Sequence, residues 1–177
     1  DKTHYMLEYA FHAIESYSDE MVWASLFDNA LENWDLSTAQ RLLCNAKLAK
    51  PIPRTISMLR YSEGRLHAQT GDWPRAEKAF SQAITTLETS AENTLELQSQ
   101  IWSDLGMLHR VRGQYQQALS CHQQQLTISK KIGDHSIRAE ALHQLGLDLY
   151  DLNDLRHAKQ YFSQALTTLN EIGDAEA

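Results

Sequence analysis

Histidine is the residue type in this chain best suited to chemistry, and eight are present, at positions 4, 12, 67, 109, 122, 135, 143 and 157. No two stand three or four residues apart, so none pairs on one helix face to grip a metal as the two histidines of an H-E-x-x-H helix do. Cys121 and His122 are adjacent, but adjacent helical residues point about 100° apart, poor geometry for a shared ion or for a thiolate and its base. No G-x-x-x-x-G-K-[ST], G-x-G-x-x-G or G-x-S-x-G occurs, which removes the usual phosphate cradles and the nucleophile elbow. Nucleophile, base and orienter cannot be assembled from any spacing, so no catalytic residue, no metal and no cofactor is expected. Cys44 and Cys121 are too few and too far apart for a disulfide framework and are expected as reduced thiols on helices.

The elements that carry these residues are helices. The chain has 24 Leu and 19 Ala against 2 Val, with 7 Gly and 3 Pro, a mix that favours helix and starves a sheet of β-branched residues. Hydrophobic residues are 42% and charged ones 22%, so a core can be buried and the chain does not read as disordered. A net charge of −7 argues against neutralising phosphates along a nucleic acid. No apolar run long enough to span a bilayer occurs, and residues 1–30 lack a basic stretch followed by an apolar one, so a soluble, cytoplasmic module without membrane contact is expected.

The 177 residues would suit one ordinary domain, but the glycines divide them. Gly64 and Gly71 are seven apart, as are Gly106 and Gly113, and Gly146 is followed seven residues later by Asn153, the other residue that tolerates a left-handed conformation. From Gly64 the next steps are 42 and 40 residues; Gly133 and Gly173 are also 40 apart, each inside Ile-Gly-Asp. One period of about 40 residues accounts for all seven, which points to a repeat array in which contacts are local.

Other residues fall into the same register. Trp102-x2-Leu105-Gly106 leads to Gly113-x-Tyr115-x2-Ala118; Leu142-x2-Leu145-Gly146 leads to Leu155, Ala158, Phe162 and Ala165. The preceding unit has Gly64, Gly71, Trp73, Ala76, Phe80 and Ala83, with Arg60 and Glu63 where bulky apolar residues are expected. A fainter unit has Trp23, Leu26, Ala30, Leu36, Ala39, Leu43 and Ala46, with Phe27 in place of the glycine. His122 takes the place of an aromatic and should make its seam more polar. Asp72 and Asp134 are placed to cap helices, and Pro74 sits in a first turn. The map that follows is a leading helix over 3–17 and pairs over 20–33 with 36–48, 54–70 with 73–89, about 93–112 with 115–131, and 135–152 with 155–170.

This pattern resembles the tetratricopeptide repeat, in the long form seen in kinesin light chains, Pins-type scaffolds and the arrays of bacterial STAND signalling ATPases. The resemblance implies an all-α, right-handed superhelical solenoid of antiparallel helix pairs: a leading helix at 1–19, a degenerate repeat at 20–56 and three repeats at 57–177, truncated at the C-terminal end. It also implies a non-enzymatic module that binds a protein or peptide, as the recognition part of a larger signalling protein or as a scaffold joining two proteins. Open solenoid ends would allow self-association.

In solenoids of this kind the first helix of each pair lines the concave, ligand-binding side. Positions alternating with the packing residues are Asp28 and Leu31; Tyr61, Arg65 and Gln69; Ser103, Asp104, Met107 and Arg110; and Glu140, His143, Gln144, Leu147 and Tyr150. Chaperone-binding members hold a C-terminal carboxylate with Lys and Asn on this face. Here Tyr61, Arg65, Asp104, Glu140 and Gln144 stand there, and only Arg65 suits a carboxylate. The mixture fits an extended or helical peptide held by a few charge-assisted bonds and apolar pockets.

Overall fold

A computed structural model of the chain describes residues 20–46, 53–88 and 94–175. Eight helices occur among them: α1 (Glu20–Glu32), α2 (Leu36–Ala46), α3 (Pro53–Gln69), α4 (Trp73–Glu88), α5 (Leu95–Val111), α6 (Tyr115–Ile132), α7 (His135–Asp151) and α8 (Leu155–Ala175). The helix pairs match those read from the glycine period, with α8 running five residues beyond the expected end at 170 and straight through Gly173. At the corresponding Gly133 the chain instead turns left-handed (φ 80°), and Asp134 starts a new helix. The expected leading helix over 3–17 lies outside the described residues.

Each pair closes with the same turn. The residue at the second turn position is left-handed in all four: Trp34 (φ 55°), Gly71 (φ 79°), Gly113 (φ 72°) and Asn153 (φ 61°). The next residue donates its backbone N–H back across the turn, as in Asp35 to Ala30, Asp72 to His67, Gln114 to His109 and Asp154 to Leu149, all at 2.8–2.9 Å. These bonds satisfy carbonyls that a helix end leaves open. An aspartate then caps the outgoing helix in three pairs: Asp35 accepts from Thr38 N, Asp72 from Arg75 N and Asp154 from His157 N. Asp134 does the same between pairs, from Ser136 N and Ile137 N. The Thr38 and Ser37 groups hold the Asp35 carboxyl below its ordinary value, and His157 does so for Asp154.

The helices fall into two units, Asp1–Glu92 and Asn93–Ala177. In the first, α1 packs on α2, and α3 packs on α2, α1 and α4. Its core is Trp23 and Phe27, stacked at 5.3 Å, with Leu31, Leu42, Leu43, Leu59 and Leu66. In the second, α5 pairs with α6 and α7 with α8, while α7 also lies against α6 and α5.

Inside three of the pairs a glycine on the first helix meets a ring from the second. A β-carbon on Gly64 would fall 2.5 Å from the Phe80 ring and one on Gly146 2.5 Å from the Phe162 ring, while one on Gly106 would overlap the His122 imidazole. The rings therefore lie within their own pairs, where only the missing side chain admits them. The first pair reverses the sizes. Phe27 takes the glycine's place, and Leu43 takes the ring's, with both still buried.

Candidate functional site

Of the residues expected to line a ligand face, those of the first unit are knitted to one another. The Arg65 guanidinium of α3 donates to the Asp28 carboxylate of α1 and lies 5.6 Å from the Tyr61 ring centroid. Tyr61 in turn rests on Phe80 at 5.9 Å, and Gln69 Nε2 donates to the Leu31 carbonyl at 2.8 Å. Arg60 and Glu63, the two charged residues that interrupt the apolar pattern, pair with each other at 2.9 Å on α3. The first helices of neighbouring pairs are thus held side by side by polar bonds.

In the second unit α5 and α7 repeat the arrangement. Arg110 Nη1 donates to Gln144 Oε1 at 2.8 Å, and Ser103 Oγ donates to Glu140 Oε1 at 2.9 Å. Gln125 Nε2 of α6 reaches the same Glu140 oxygen at 3.4 Å. Ser103 is buried beneath this contact, so it positions Glu140 and offers nothing to a ligand. Met107 stands one turn before Arg110 on α5 and Leu147 one turn after Gln144 on α7, both half-buried like Asp104, and Tyr150 further along α7 is 61% open to solvent. One fixed guanidinium beside apolar side chains of intermediate exposure can take a carboxylate or carbonyl together with an aliphatic or aromatic group.

His143, expected on the same face, is exposed on α7. Its ring sits 5.5 Å from Phe162, and with Ser136, Ala139 and Glu140 of α7 it forms one wall of a groove. Ala165, Leu166 and Leu169 of α8 form the other, and the groove encloses about 430 Å³. The repeat register assigns Phe162 and Ala165 to packing and does not single out Leu166 or Leu169. The available signal is that Leu169 occupies the place of Ser129 one period earlier.

Among the described residues no three histidine, cysteine, aspartate or glutamate side chains come together as a metal site. None of the described helices is long and apolar enough to cross a membrane. His109 and His122 are both buried and both engaged in fold contacts, with Gln114 Oε1 at 2.9 Å and Asp148 Oδ2 at 2.5 Å respectively.

Residues 97–171 match the model of the tetratricopeptide repeat. Among solved structures, the chain is similar to the nearly identical TPR-like repeats of a Podosopora anserina kinesin light chain, with a TM-score of 0.69, 14% identity and coverage of 95% of this chain and 85% of that one. It is similar to MamA at a TM-score of 0.66 and 15% identity, over 93% of this chain and 87% of that one. It is also similar to Bacillus thuringiensis PlcR, determined in complex with the peptide PapR7 and DNA, at a TM-score of 0.55 and 12% identity, over 99% of this chain and 73% of that one. At such identities the likeness is one of fold: antiparallel helix pairs in a tetratricopeptide solenoid.

Proposed function

We propose that this chain, a protein carrying tetratricopeptide repeats, is a non-enzymatic module that binds a protein or peptide on the face formed by the first helices of its pairs. We assign a degenerate repeat to 20–56 and three further repeats to 57–177. The observation that carries the reading is the bond in the second unit that fixes Arg110 of α5 on Gln144 of α7, on helices that carry Met107 and Leu147 one turn away and the exposed Tyr150. A pre-positioned guanidinium loses little freedom on binding a peptide carboxylate or carbonyl, and the flanking side chains give an apolar residue somewhere to go. The peptide complex of PlcR, a protein of similar fold, supports peptide binding. The net charge of −7 favours a protein ligand over a nucleic acid.

The module serves best as the recognition part of a larger signalling protein, in which ligand binding biases a switch elsewhere. Phage-displayed random peptides selected on the chain supply a probe. Binding of the selected peptide should weaken about tenfold or more in Arg110→Ala and in Tyr150→Ala, with the thermal midpoint nearly unchanged. Selected peptides that ignore both substitutions would show that the face is wrongly assigned.

A further inference from the structure

Two charged side chains of the second unit are held in place without being neutralised. Glu140 of α7 is exposed, and its Oε1 accepts from Ser103 Oγ of α5 at 2.9 Å and from Gln125 Nε2 of α6 at 3.4 Å. Both donors are neutral and buried, so they fix the carboxylate and leave its charge intact, with Oε2 outside both bonds. Arg110 of α5 has the converse arrangement. Its Nη1 donates at 2.8 Å to Gln144 Oε1, a neutral acceptor that engages one of several guanidinium N–H groups. Among the described residues neither Arg110 nor Glu140 forms an ion pair, whereas Arg65 meets Asp28, Arg60 meets Glu63 and Arg138 meets Glu171.

Glu140 and Gln144, the α7 ends of the two anchors, stand four apart and therefore one turn apart, about 6 Å along the helix. An extended peptide advances about 3.3 Å per residue and sends alternate side chains to one side, so residues two apart stand about 7 Å apart. We propose that the first-helix face of the second unit recognises an extended peptide carrying an acidic and a basic side chain two residues apart, the acid on Arg110 and the base on Glu140. This rests on the reading of that face as a peptide site and adds the chemistry of the ligand. Both protein groups are fixed before binding, so each contact orders one flexible side chain, the ligand's, instead of two. Selectivity follows from the opposite signs. A peptide with two acids sets one against Glu140, and one with two bases sets one against Arg110. With a net charge of −7 the field of the chain attracts any basic segment, and Arg110 selects among these the ones that also carry an acid.

The probe is a peptide selected by phage display on the unmodified chain, synthesised as selected and again with its acid and base exchanged. The selected sequences should carry an acid and a base two residues apart; sequences without such a pair would overturn the proposal. Glu140→Gln keeps an acceptor for Ser103 and Gln125 but removes the charge, and should weaken the selected peptide about tenfold with the thermal midpoint nearly unchanged. Arg110→Glu combined with Glu140→Lys should reverse the preference, so that the exchanged peptide binds tighter than the selected one. Peptides that lose affinity in Arg110→Ala and Tyr150→Ala but not in Glu140→Gln would leave the first-helix site standing and overturn this pairing of charges. A charge-reversed chain that keeps the original preference would do the same. A selection that yields no binder, or only binders indifferent to every one of these substitutions, would overturn both.

Discussion

His122 Nδ1 of α6 lies 2.5 Å from Asp148 Oδ2 of α7, with both side chains fully buried. The pair joins one repeat to the next at a place where the chain elsewhere uses apolar residues. Phe80 and Phe162 stand at the position of His122, and Leu66 and Leu108 at that of Asp148. A buried polar pair is costly to break but is not needed for stability as such, because two apolar groups of matching shape can replace it. A phenyl ring in place of the His122 imidazole would meet Gly106 as Phe80 meets Gly64.

The single variant His122→Phe strands a buried carboxylate and should lose about 3 kcal/mol. Asp148→Leu strands an imidazole and should lose about 1–3 kcal/mol. The double variant should return to within about 1 kcal/mol of the parent or exceed it. Urea unfolding of the four proteins as a double-mutant cycle measures the coupling, and additive losses would show that the two residues act independently.

The period itself is legible because glycine serves two separate needs at fixed places. Gly64, Gly106 and Gly146 admit a ring, while Gly71 and Gly113 turn left-handed, and Asn153 can be recognised as their substitute. Asp72 and Asp134 are readable as caps because each follows a turn glycine. The polar seam is half legible. His122 interrupts an aromatic position, but its partner is 26 residues away, and Asp148 looks like any helical surface acid unless set beside Leu66 and Leu108. The engagement of Arg65 with Asp28 and of Ser103 with Glu140 is not legible, because it depends on how close neighbouring first helices come. For the same reason spacing alone does not show that the His143 ring lies against Phe162 of the next helix.

The glycine and ring contacts predict unequal effects for equal substitutions. Alanine at Gly64 must displace Phe80, which is 1% exposed and enclosed on all sides, so Gly64→Ala should cost about 2–3 kcal/mol. Alanine at Gly146 meets Phe162 at the same distance, but that ring borders the α7/α8 groove and has room to swing. Gly146→Ala should cost about 1 kcal/mol and partly fill the groove. Thermal unfolding of both variants checks the ranking, and equal losses would show that Phe162 has no more room to move than Phe80.

The Asp154 cap makes a prediction with a sign. Hydrogen bonds from the His157 side chain, at 2.7 Å, and from its backbone N–H keep the folded-state carboxyl below the ordinary aspartate value of 3.8. Folding is therefore favoured by the ionised cap at pH above that value, and the advantage fades as pH falls through the lower, folded value. Asp154→Ala should be less stable than the parent at neutral pH, with the difference shrinking in strong acid. A stability difference constant from neutral pH into strong acid would remove the carboxylate from the account.

Trp34 holds the left-handed turn position that glycine or asparagine holds in the other pairs, with φ at 55° and its ring 68% exposed. A bulky L-residue there carries a penalty of about 1–2 kcal/mol, and so little of the indole is covered that packing cannot offset much of it. Glycine removes the penalty but gains freedom in the unfolded chain, worth about 0.5–1 kcal/mol against folding. Trp34→Gly should then be more stable by about 0.5 kcal/mol, read as a higher urea midpoint at unchanged slope. Trp34→Ala removes the same ring while keeping the strained backbone, and should show no such gain. If both variants lose stability equally, the indole contributes contacts that its exposure does not reveal, and the turn is not where this repeat departs from its neighbours energetically.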